Sequence, residues 1–104
     1  MEKVIRDGKV AVLVSHGFGA GWYSWHDKEE LLYHPEIVKL VEENKREEIT
    51  EELCKKLLNT DDYICVLGVE GLSIHWIPQG TNFIIDEYNG HEKLKTVDDL
   101  TLKA

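Results

Sequence analysis

Residues 9–15 are apolar at almost every position. Val10, Val12 and Val14 project to one side of an extended chain and Ala11, Leu13 and Ser15 to the other. A strand with two apolar faces belongs in the middle of a sheet. Residues 4–6 precede it across Asp7-Gly8, a dipeptide that supplies the two positive-φ positions of a tight hairpin turn. The period then changes. Residues 27–30 open a short helical turn carrying Leu31, Leu32 and Tyr33, and Pro35 suits the first turn of a new helix. Ile37, Val38, Leu40 and Val41 form the buried stripe of a helix over 35–44. Ile49, Leu53 and Leu57, with Cys54 and Leu58 beside them, predict a second helix over 47–58. The two helices form a hairpin, and the charged run 42–52 is its solvated face and turn. Strand patterns return at 63–67, at 72–77 with Leu72, Ile74 and Trp76 on one face, and at 81–88. Asn89-Gly90 is a second hairpin signal, with 91–96 pairing back and 97–104 as a tail. The order predicts an α+β fold: an antiparallel sheet of about five to six strands with a two-helix hairpin packed on one face, residues 1–104 forming one compact domain.

Composition narrows the partners. The chain has 104 residues, 42% of them hydrophobic, which is enough for a packed core without staples. Twenty acids against 12 bases give a formal net charge of -8, which argues against duplex nucleic acid or an anionic membrane as partner. Cys54 and Cys65 stand in no CxxC or Cys/His cluster and read as buried, reduced thiols. The first residues hold no apolar core of signal-peptide length, and no apolar run approaches a membrane span. These features predict a soluble cytoplasmic protein.

The unusual residues lie between the first long strand and the helices, in His16–His26. Glycines at 17, 19 and 21 permit backbone conformations closed to other residues and close approach by a ligand. Their N–H groups can bind phosphate oxygens without net positive charge. Phe18, Trp22, Tyr23 and Trp25 supply planar faces that could stack on a base, although Trp22 and Trp25 equally suit a cap over the core. The candidate ligand-binding set is therefore His16, Gly17, Phe18, Gly19, Ala20, Gly21, Trp22, Trp25 and His26, with Asp86 and Tyr88 from the last hairpin.

No catalytic constellation emerges. The His-Gly loop after an early strand is similar to the oxyanion loop of α/β-hydrolases, but a hydrolase also needs a G-x-S-x-G elbow. Gly71-Leu72-Ser73-Ile74-His75 lacks the second glycine and sits in a strand pattern. Gly17-x-Gly19-x-Gly21 is not the dinucleotide fingerprint, whose third glycine falls one residue later. The five histidines show no HExxH or comparable spacing; His16, His26 and Asp27 could meet, but no metal or cofactor is expected. Asp86 and Glu87 read as solvated carboxylates. The expectation is a protein without enzymatic activity.

Three segments, GFGAGW at 17–22, PEIV at 35–38 and the P-x-G-T…I-D-E-Y-x-G stretch at 78–90, resemble a family of small phage and prophage proteins over residues 8–92. The resemblance implies a phage protein acting in the host cytoplasm. By analogy of size and context, it implies sequestration of a small nucleotide-like signalling molecule and so counteraction of a bacterial immune system. An enclosed ligand further implies a homo-oligomer. The alternative is an acidic protein-interaction module that inhibits a host protein by direct binding.

Overall fold

A computed structural model describes residues 2–96; the expected tail at 97–104 lies outside the described residues. The fold is α+β with antiparallel pairing. β1 (Ile5–Arg6), β2 (Lys9–Ser15) and β3 (Leu72–Pro78) form a three-stranded sheet in the order β1-β2-β3. β4 (Phe83–Tyr88) and β5 (His91–Thr96) form a separate two-stranded sheet. The single sheet of five to six strands is thus replaced by two smaller ones. Among the described residues, 63–67 pair with no strand: the segment is irregular, turns at Leu67, buries Ile64 and Cys65, and leaves Tyr63 and Leu67 exposed.

β2 is central, as its two apolar faces require. Ala11 and Leu13 face a core built from Trp22, Leu31, Ile37, Val38, Val41, Ile49 and Cys54, with Leu72 from β3. Val10, Val12 and Val14 face a second cluster with Leu32, Tyr33 and Ile77, closed by Phe83, Ile85 and Leu94 of the β4–β5 hairpin. Both dipeptide turns form as their chemistry dictates. Asp7 and Gly8 have φ of 51° and 74°, and Asn89 and Gly90 have 51° and 86°.

The helices are shorter than their patterns. α1 (Glu30–Tyr33) and α2 (Pro35–Glu42) flank His34, whose Nδ1 accepts from the Glu36 N–H at 3.2 Å and caps α2. α3 is Glu51–Leu58, starting four residues later than the acid-rich run suggested. Arg46–Glu48 is a separate 3-10 turn, and the hydroxyl of Thr50 accepts from the Leu53 N–H at 3.2 Å. A capping hydroxyl outranks first-turn acids in setting where a helix begins. Asn59 ends α3 in the left-handed conformation, φ 52°. The connection between α2 and α3 is therefore a structured eight-residue passage rather than a tight turn. Among the described residues, no helix is long and apolar enough to cross a membrane. Cys54 and Cys65 are free and buried. Burial, with Glu51 nearby, pushes the Cys54 thiol up to about 11.

Candidate functional site

The loop leaving β2 is held from inside by a carboxylate. Glu92 on β5 is fully buried. Its Oε1 accepts from the Ser15 N–H at 2.9 Å. Its Oε2 accepts from the Trp22 N–H at 2.8 Å, the Ser24 N–H at 2.9 Å and the Ser24 hydroxyl at 2.6 Å. A buried anion is tolerated only where hydrogen bonds replace its water, and here backbone and hydroxyl donors do so. The sequence reading offered loop amides to a ligand's phosphate. In the folded chain, the amides of Trp22 and Ser24 are turned inward onto the protein's own anion.

Close backbone approach is also internal. A Cβ on Gly90 would lie 2.3 Å from the Ala20 nitrogen, so the tip of the β4–β5 hairpin packs directly on the loop main chain. The Gly19 N–H donates to the Asn89 carbonyl across the same contact. Gly19 has φ 97° with open space around its Cβ position, so its glycine is required by conformation and not by crowding. Ala20 and Gly21 are buried. Gly17 is half-buried and lies against Gly71, whose Cβ would come within 2.5 Å of the Gly17 nitrogen.

The aromatics divide. Trp22 has no exposed surface, and its Nε1 donates to the Leu31 carbonyl at 2.6 Å. Its expected stacking face is corrected accordingly: the indole is a core residue. Trp25 is 44% exposed, and its Nε1 donates to Glu87 Oε2 at 2.9 Å, an oxygen that also accepts from the Gly90 N–H at 3.0 Å. Phe18 is 70% exposed and lies flat on the His91 ring, with centroids 4.8 Å apart and planes 14° from parallel.

The histidines gather on one side of that stack. His16 Nε2 and His75 Nε2 are 2.8 Å apart, so one nitrogen carries a proton and the other accepts it. His91 Nδ1 donates to the His16 carbonyl, which fixes its tautomer. Burial and the neighbouring His16 hold His75 below its ordinary value. His26 lies elsewhere: its Nε2 accepts from the Cys65 N–H at 3.0 Å and serves the segment 63–67. His16, His26 and Asp27 therefore do not converge, and no group of three potential ligands among the described residues is placed to hold a metal ion.

Asp86 and Tyr88 stand on the outer face of the hairpin. Antiparallel register puts Tyr88 opposite His91 and Asp86 opposite Lys93. With Glu87 and Lys95, they line a shallow recess of about 110 Å³. Lys95 pairs with Asp86 at 2.9 Å and holds that carboxyl below the usual range. His91, Glu92 and Lys93 were missed from the sequence. Glu92 left one signal: strand alternation puts it on the same face as Leu94, where a charge needs buried partners.

Comparison of the chain with protein-family models, with curated proteins and with solved structures gives no match.

Proposed function

We propose that the chain is a non-enzymatic binding protein that holds a small nucleotide-like molecule against the outer face of the loop. In a phage setting, it would sequester a signalling nucleotide in the host cytoplasm and blunt an immune response. The observation that carries this reading is the Phe18–His91 stack, a planar platform exposed to solvent while the loop beneath it is fixed by Glu92. A pre-ordered aromatic face loses little freedom on binding and accepts any base. Tyr88 supplies a second exposed ring, and Lys93 supplies a cation for a phosphate on the face where the net negative charge would otherwise repel one. This moves the expected site from the loop interior to its exterior. Phe18, Asp86 and Tyr88 remain in it, and His91 and Lys93 join it. A recess this shallow cannot enclose a ligand, so the reading includes a homo-oligomer that covers it.

The test is a titration of cyclic mono- and dinucleotides into isotopically labelled protein. Saturable shifts at Phe18, Tyr88, His91 and Lys93 are expected, and their absence across the panel overturns the reading. One observation favours a second reading, an acidic module docking on a host protein. The outer face of β4 exposes Ile84 and Tyr88 at 49% and 72%. A protein partner captured in place of a small molecule would decide for it.

A further inference from the structure

A larger cleft lies on the other side of the hairpin, between the start of β4, α1 and the 3-10 turn Tyr23–Trp25. It holds about 650 Å³. That is within the range of small-molecule sites, about 300–1,000 Å³. Val10, Leu32, Ile77, Phe83 and Ile85 contribute apolar surface to it. Tyr23 and Tyr33 add two phenol rings, and the Tyr33 ring meets Phe83 edge-on. The charged groups on the lining are Lys3, Asp27 and Glu29. Asp27 and Glu29 make no ion pair among the described residues.

Lys3 shows what the cleft favours. Its ammonium sits 4.3 Å from the Tyr33 ring centroid, over the ring face. This cation–π contact is made by an exposed residue of the N-terminal segment, and a similar charge from outside could replace it. The Tyr33 phenol is held above its ordinary value by burial first, then by Glu29 and Tyr23, so it stays neutral and its ring face remains available to a cation. We infer that this cleft is a second binding site, for an organic ammonium whose charge lies between Tyr33 and the Asp27 and Glu29 carboxylates and whose apolar body fills the floor. The site is independent of the nucleotide reading. It uses neither Phe18 nor His91, and its charge preference is opposite.

The probe is 2-phenylethylammonium, titrated into the full chain carrying labelled methyl groups, with the isosteric 2-phenylethanol as its neutral control. Saturable shifts should centre on the methyls of Val10, Leu32, Ile77 and Ile85. The alcohol should bind about tenfold more weakly, because it leaves the carboxylates and ring faces uncompensated. Asp27→Asn with Glu29→Gln should weaken the amine and leave the alcohol unchanged. Asparagine tolerates the left-handed conformation Asp27 adopts, φ 53°, so the fold is kept. Lys3→Met should tighten amine binding by removing the internal competitor, and Phe18→Ala should not alter it. The proposal is overturned if amine and alcohol bind alike, if the shifts lie away from the cleft, or if Lys3→Met leaves amine affinity unchanged or lowers it.

Discussion

Glu92 ties the end of β2 and the turn at 22–24 to one side chain, and the cost of removing it follows from what is left behind. Glu92→Ala orphans the buried Ser15 and Trp22 amides and the half-buried Ser24 amide, each orphaned donor costing about 1–3 kcal/mol. Urea unfolding should therefore show a loss of at least about 3 kcal/mol. Glu92→Gln should cost less. Its oxygen can serve the Oε2 donors, while its amide group faces the Ser15 N–H and loses one bond. The two aromatics of the loop should behave oppositely. Trp22→Ala empties a fully buried site and should destabilise by about 3–5 kcal/mol. Phe18→Ala should leave the melting temperature nearly unchanged and remove a stacking contact of about 1–3 kcal/mol, tenfold or more in affinity. The sequence could not separate these two residues, because a glycine-rich loop imposes no regular period that tells inside from outside.

At the level of elements, legibility followed how local the cause is. Asp7-Gly8 and Asn89-Gly90 fix their hairpins through their own dihedral preferences, and both were readable. β2 was readable because its neighbours on both faces demand apolar residues. Residues 63–67 have the composition of a strand, but a strand needs a partner, and here the Cys65 amide is satisfied by an imidazole from the loop. α3 starts later than its acids indicate because Glu47 and Glu48 resemble first-turn acids, whereas the cap is Thr50. Thr50→Ala should lower stability by about 1 kcal/mol in chemical denaturation. The division into two sheets depends on β5 crossing the valine face of β2, a long-range contact that no single segment encodes.

Across the whole molecule, the imidazoles make stability depend on pH. His75 and His34 are both held below their ordinary value, chiefly by burial. The unfolded chain therefore takes up protons at these sites more readily than the folded one. Stability is full above the ordinary histidine value of about 6.5 and falls as the pH drops below it, until the depressed folded-state values are passed. His75→Gln should flatten that fall between about pH 8 and about pH 5, read from urea midpoints. In the proposed binding region, the half buried around Glu92 holds the loop and the exposed half around Phe18 and His91 takes the ligand. The most direct test is native mass spectrometry of the protein purified from cells in which a nucleotide-based defence is active. The expected result is an assembly of at least two 12.0 kDa chains carrying a small ultraviolet-absorbing molecule that is released on denaturation and lost in Phe18→Ala. A clean, unliganded monomer from those cells would contradict it.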